Sequence, residues 1–185
     1  HYRLATHLLT ALFLLAGLVW TARDLQALAK NPQARPARLT GFGIIAFAVI
    51  TLQLLLGAWV AGLSAGYVAN TWPLMDDHFV PRGIDWAGGV WIAATNDPFL
   101  LHFLHRWWAW AASAVVILLA LRLRARGSTA LSHSLFTVIA VQMLLGIFTV
   151  VSGMSMWIAV AHQVVGAILV AVLAASLHRE GSAQM

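Results

Sequence analysis

Three histidines stand within or at the edge of long apolar runs: His7 in "THLLTALFLLAGL", His105 in "LHFLHRWWAW" and His162 in "AHQVVGAILVAVL". An imidazole nitrogen is a good iron ligand, and two imidazoles facing each other inside a helical bundle can hold a haem iron from its two sides while the bundle excludes water. His7 precedes Arg23 by 16 residues, and His105 and His162 precede Arg122 and Arg179 by 17 each. On a helix rising 1.5 Å per residue, that puts all three about 25 Å from the boundary the arginines mark. A shared ligand requires a shared depth. Position i+4, one turn inward on the same face, is small in each case: Ala11, Ala109 and Gly166. A flat macrocycle laid against these helices needs such space. Histidines inside a membrane span are functional candidates by default, and the plain alternative is an interfacial imidazole bonded to a carbonyl or water. For a lone histidine near a helix end the plain alternative suffices. For His105 and His162, at matched depth on alternate spans, axial ligation is the preferred reading.

The neighbouring polar residues leave more open. His102 lies one turn outward of His105, where it could bond a haem propionate or simply sit in the interface. Arg106 directly follows His105 and suits either a propionate partner or a snorkelling interfacial arginine. His78, His133 and His178 fall in loops or at helix ends and receive no role. Asp76 and Asp77 read as an exposed acidic loop. Gln53 and Gln142 are polar in apolar surroundings and should bond across the bundle. Gly62 and Gly66 read as a small-xxx-small packing pair.

The elements that position these residues follow from composition. Of the 185 residues, 61% are hydrophobic and 9% charged, with mean hydropathy +0.83, whereas soluble domains carry about a quarter charged residues. Five stretches, 4–22, 41–63, 101–123, 132–152 and 158–178, are long enough to span a hydrocarbon core, which takes about 20 apolar residues per helix. Runs this long exclude barrel strands of about ten residues. The expected fold is an all-α polytopic membrane bundle with five transmembrane helices. The net charge of +5 resides beside helix ends, at Arg23, Lys30, Arg35 and Arg38, at Arg122, Arg124 and Arg126, and at Arg179. Five crossings gather these clusters on one side, which the positive-inside rule makes cytoplasmic. The basic charge is therefore topology, and no nucleic-acid partner is implied. Residues 64–100, with four aspartates, face outward, and all tryptophans but Trp20 lie on or near that side as an aromatic belt. The absence of cysteine excludes a disulfide framework or a thiolate metal site. A start at His1, with no charged leader, reads as a stretch taken from a longer protein rather than a signal peptide.

An internal repeat runs through the chain. "VITLQLLLG" (49–57) and "VIAVQMLLG" (138–146) align without gaps, with a glutamine four residues before a glycine in both. The first and last spans also align on His7 and His162. The order reads as one complete four-helix unit, preceded by the last helix of an earlier copy.

With the outer segment "AGLSAGYVANTWPLMDDHFVP" (61–81), the stretches "FLHRWWAW" (103–110), "QMLLGIFTVVSG" (142–153) and "AHQVVGAILV" (161–170), the chain resembles the second half of haem A synthase over nearly its whole length. The resemblance implies an eight-helix fold of two similar four-helix halves. Residues 1–22 then match the last helix of the N-terminal half, 23–40 a cytoplasmic-side linker, 41–178 the C-terminal half and 179–185 a tail. It implies an oxidoreductase converting the C8 methyl of haem O to a formyl by successive hydroxylations, with water-derived oxygen, to give haem A. His105, in an "HR" motif, and His162, in an "HQ" motif, match the axial ligands of a haem b. His7 matches one of two histidines around the substrate haem O. No catalytic acid can be named, because the family's glutamate falls in helices outside this chain, so residues 1–185 alone are expected to be inactive. His102 departs from the glutamine often found there, and the lack of cysteine matches the branch found in proteobacteria and mitochondria. The implied partners are haem O, the lipid bilayer, haem O synthase, cytochrome oxidase assembly factors and a second copy of the chain. The implied location is a bacterial inner membrane in preference to a mitochondrial one. The histidine pattern alone equally fits a cytochrome b electron-transfer subunit, and the composition alone fits a cofactor-free membrane scaffold or transporter element.

Overall fold

Each apolar run becomes a helix because lipid offers the backbone no hydrogen bonds, so every N–H and C=O must be satisfied within its own segment. The computed structural model describes residues 1–182. It contains α1 (Tyr2–Lys30), α2 (Gly41–Gly62), a 3₁₀ turn (Ala65–Val68), α3 (Gly89–Asn96), α4 (Pro98–Ala125), α5 (Thr129–Val151) and α6 (Met156–Ser182). All but α3 are long and apolar enough to cross a membrane. The chain is a polytopic helical membrane protein, as its composition requires. Among the described residues there is no β-strand, only an isolated bridge between Met75 and His78.

The helix ends carry chemical signals. Thr40 caps α2 by accepting from the Gly43 N–H at 2.9 Å, and Asp97 caps α4 by accepting from the Leu100 N–H at 2.8 Å, with Pro98 in the first turn. Arg122 and Arg124 occupy the last turn of α4, where the negative end of the helix dipole favours them. Several helices outrun the apolar stretches that announce them. Helix α1 continues through polar sequence to Lys30, and α6 runs on to Ser182, so residues 179–182 of the expected tail are helical; residues 183–185 of that tail lie outside the described residues. The 3₁₀ turn and α3 are additions that the reading of spans did not supply.

The helices form a ring. Helix α2 packs on α4, α4 on α5 and α5 on α6, while α1 lies against both α6 and α2. The buried side chains make two apolar clusters. The larger contains Ile50, Ala112, Val116, Leu119, Leu135, Ile139, Leu169 and Leu173; the smaller, nearer the 63–97 segment, contains Leu56, Val60, Ala65 and Leu101, with Leu104 and Trp108 packed on it. Along α2 the order is Ile50, Gln53, Leu56. A polar layer therefore separates the two clusters.

At the end of the ring where the basic clusters gather, the chain's two acidic residues of that region are both engaged. Glu180, fully buried, accepts from Arg122 Nε at 2.7 Å and from the Thr40 hydroxyl at 3.0 Å. Asp24 accepts from the Ala37 N–H at 3.0 Å and pairs with His178 Nε2 at 2.8 Å, with Trp20 edge-on to the His178 ring at 5.1 Å. These contacts join α1, the start of α2, α4 and α6.

At the opposite end, two expectations change. Gly62 and Gly66 do not form one helical stripe, because α2 ends at Gly62 and Ser64 takes a left-handed conformation with φ of 53°. Gly62 instead lies against His1, and Gly66 against the Met154 side chain. Asp76 and Asp77, exposed as expected, both have positive φ, 48° and 64°. They form the tip of a two-residue turn closed by Met75 and His78, a conformation that aspartate tolerates better than most residues.

Candidate functional site

The polar layer between the two apolar clusters is built twice, once on each half of the internal repeat. In the first unit, Gln53 of α2 reaches across to α4, with its Nε2 3.1 Å from His105 Nδ1 and 3.3 Å from the His105 carbonyl oxygen. In the second, Gln142 of α5 reaches α6, with its Nε2 3.4 Å from His162 Nε2. The glycine four residues after each glutamine makes room for the same ring. A β-carbon on Gly57 would stand 2.9 Å from His105 Cε1, and one on Gly146 would stand 3.2 Å from His162 Cε1. The sequence repeat is therefore a repeat of contacts, Gln to imidazole and glycine under imidazole, although Gln and His are 52 residues apart in one unit and 20 in the other. The difference is the long 63–97 segment inserted between α2 and α4.

The two units face one bundle interior. Helices α4 and α6, which carry His105 and His162, touch each other directly. Trp108, one turn along from His105, donates its Nε1–H to the Val49 carbonyl of α2 at 2.9 Å and so fixes the α2–α4 register beside the site. The expected cross-bundle bonding of Gln53 and Gln142 is thus found, with the two histidines as partners. At Gly166 a β-carbon would meet the Gln142 amide nitrogen at 3.2 Å, so the glycine leaves room for the glutamine.

A haem fits this donor set on two observations. At His105 the glutamine amide lies against Nδ1 and Nε2 has no hydrogen-bond partner among the described residues; at His162 the amide lies against Nε2 and it is the buried Nδ1 that has none. A haem iron, held by four nitrogens of the macrocycle, can take an imidazole nitrogen from the protein on either side. The lack, among the described residues, of any cluster of three or more His, Cys, Asp or Glu side chains bears only on metals held by side chains alone.

His102 and Arg106 are both buried rather than free in the interface, and they bond to each other. Arg106 donates from Nε to His102 Nε2 at 3.0 Å, from one terminal nitrogen to the Thr71 carbonyl at 2.9 Å and from the other to the Ala69 carbonyl at 2.8 Å. The guanidinium fork is spent on backbone oxygens of the 63–97 segment, which it straps onto α4. Asp97 completes the strap by accepting from the Asp85 N–H at 3.0 Å. His7 is exposed on α1 and forms no hydrogen bond among the described residues; the structure does not bring it to His105 and His162. His178, which received no role, is buried against Asp24. The signal for it was the isolation of Asp24 among basic residues, since a lone carboxylate at a helix end calls for a partner.

Residues 1–174 match the family model described as cytochrome oxidase assembly protein. Among curated proteins, one from Sphingopyxis alaskensis named Heme A synthase is 70% identical over 98% of this chain and 51% of its own length. Those of the same name from Erythrobacter litoralis and Novosphingobium aromaticivorans are 52% and 53% identical, over 100% and 98% of this chain and 54% and 53% of their own lengths. The chain thus spans about half the length of the curated relatives it matches. No solved structure matches it. With the family model covering nearly every residue that builds the bundle and its paired Gln–His layer, the chain belongs to the cytochrome oxidase assembly protein family that the model describes.

Proposed function

We propose that this chain forms the haem b-holding part of a haem A synthase, an enzyme that oxidises the C8 methyl of haem O to the formyl of haem A by successive hydroxylations. In this reading His105 and His162 would hold the haem b iron, and His7 would belong to the haem O site together with residues outside this chain. The observation that carries it is the doubled unit of glutamine, glycine and histidine between two apolar clusters. Relatives named Heme A synthase support the substrate. Bound there, haem b supplies one-electron transfer. The chain's own residues contribute the rest. Leu56, Val60 and Leu101 on one side and Ile50, Ala112 and Val116 on the other keep water from the layer. The Arg106 strap closes its outer end. The bacterial source of these relatives supports a place in the inner membrane, with residues 64–100 on its outer side.

The test uses the purified protein and its variants. A low-spin b-type spectrum should be lost or converted by His105→Ala or His162→Ala and largely kept in His7→Ala. A spectrum unmoved by His162→Ala overturns the ligand assignment. For the reaction, chromatography should detect haem A formed from haem O by the full-length protein and none by residues 1–185 alone, with supply of the preceding helices restoring turnover. Sustained haem A formation by residues 1–185 would put the substrate site within these helices. A full-length protein that holds haem b yet converts no haem O would be an electron-transfer cytochrome b.

A further inference from the structure

The glutamine beside each imidazole has one feature that packing alone does not account for. Both side-chain oxygens, Gln53 Oε1 and Gln142 Oε1, are buried with no hydrogen-bond partner, although both amide nitrogens are engaged or in contact with a ring. A buried carbonyl without a donor is costly, about 1–3 kcal/mol. A neutral imidazole carries one proton on two nitrogens, and binding iron at one nitrogen obliges the proton to sit on the other. That other nitrogen then needs an acceptor. The amide lies against Nδ1 of His105, leaving Nε2 without a partner, and against Nε2 of His162, leaving the buried Nδ1 without one.

We infer that Gln53 is a positioning residue for the His105 imidazole: when iron is bound at Nε2, the amide presents its oxygen to the Nδ1–H, fixing the proton there and leaving the Nε2 lone pair free. The inference rests on the haem b reading proposed above, and it does not extend to Gln142, whose amide lies against Nε2 of His162. A half-turn of the Gln53 amide exchanges nitrogen for oxygen without moving either helix, and it gives the orphaned oxygen a donor. At Gln53 the exchange gives up the 3.3 Å contact with the His105 carbonyl, a long bond traded for one to an N–H that iron makes more acidic. The glycine limits the ring in the same sense. With Gly57 lying against Cε1 of His105, the ring is held between a backbone surface and an amide, so its rotation and its proton are set together. Outer-shell acceptors of this kind orient metal-bound histidines and raise their basicity.

The test is made on the purified, haem-loaded protein with Gln53→Leu and Gln53→Glu, read by haem retention, redox titration and low-spin electron paramagnetic resonance. Gln53→Leu removes the acceptor and should lower haem affinity about 10- to 100-fold and raise the midpoint potential of what remains. Gln53→Glu supplies a stronger acceptor, gives the ring more imidazolate character, and should retain haem with a lowered midpoint potential and shifted g values. If both variants keep the parent's potential and resonance, Gln53 only packs between helices and the inference is overturned. Should Gln53→Leu lose haem altogether, Gln53→Glu decides by the same criterion. Failure of the underlying haem b reading looks different: the parent's low-spin signal would then be absent, or would survive both His105→Ala and His162→Ala.

Discussion

Gly57 lies beneath the His105 imidazole so closely that a single added carbon would stand 2.9 Å from the ring. The equivalent contact of Gly146 with His162 is looser, at 3.2 Å. Alanine at either position favours the helix by about 1 kcal/mol, while forcing an extra carbon into a packed site costs about 1–3 kcal/mol. Crowding should win at Gly57 and come close to balance at Gly146. Gly57→Ala is expected to lose low-spin haem and several degrees of thermal stability, and Gly146→Ala to lose less of both. Absorbance spectra with thermal melts in detergent check the order.

The strap over the outer end gives a second expectation. Arg106 holds the Ala69 and Thr71 carbonyls and His102 at once, and bonds to a charged group contribute about 1.5–3 kcal/mol each. Arg106→Gln should cost about 3 kcal/mol or more and expose residues 69–82 to protease. Arg106→Lys should rescue only part, because an ammonium cannot reproduce the planar fork. Limited proteolysis from the outer side reads the release directly.

At the other end, the Arg122–Glu180 pair is asymmetric, with side-chain exposures of 41% and 0%. Removing Glu180 leaves an arginine that water can reach, whereas removing Arg122 leaves a buried carboxylate with the Thr40 hydroxyl as its remaining side-chain donor. An abandoned buried charge is the costlier residue of a broken pair. Arg122→Ala should therefore lower the melting temperature more than Glu180→Ala, and the double variant should fall close to Glu180→Ala. Equal losses from the two single variants would contradict this reading.

Topology can be read without background labelling, since the chain contains no cysteine. Exposed positions 30 and 90 lie at opposite ends of the bundle. In sealed cells an impermeant thiol reagent should modify Val90→Cys and leave Lys30→Cys unmodified. Labelling of position 30 from outside reverses the orientation assigned from charge.

Much of this arrangement could be read in advance because it depends on simple periodic signals. Length and hydropathy gave the five spans, and the spacing of His105 and His162 from arginines placed them at one depth. Gln53 and Gln142 stood out because polar side chains in apolar helices need partners. What escaped the reading depends on chain folding back in three dimensions. Nothing local in "HR" tells that Arg106 turns toward carbonyls 32 to 37 residues earlier, nor that Gly166 yields its space to a glutamine on the preceding helix. His178 was passed over for a similar reason, because its partner Asp24 is 154 residues away. Helix α3 is too short to span, so a search for membrane-length runs passes over it.

The contacts that bind the inner end of the ring have an order in time as well as in space. A ribosome delivers the chain from its N-terminal side, so Asp24, Thr40 and Arg122 are all made before His178 and Glu180 exist. Until α6 emerges, those three groups lack their α6 partners, and α1 and α5 have no common neighbour to join them. Helix α6 is thus the closing member of this ring. A chain that reached only to residue 155 would hold the first four spans with Asp24 still bonded to Ala37 and Thr40 to Gly43, but with nothing to join them across the ring.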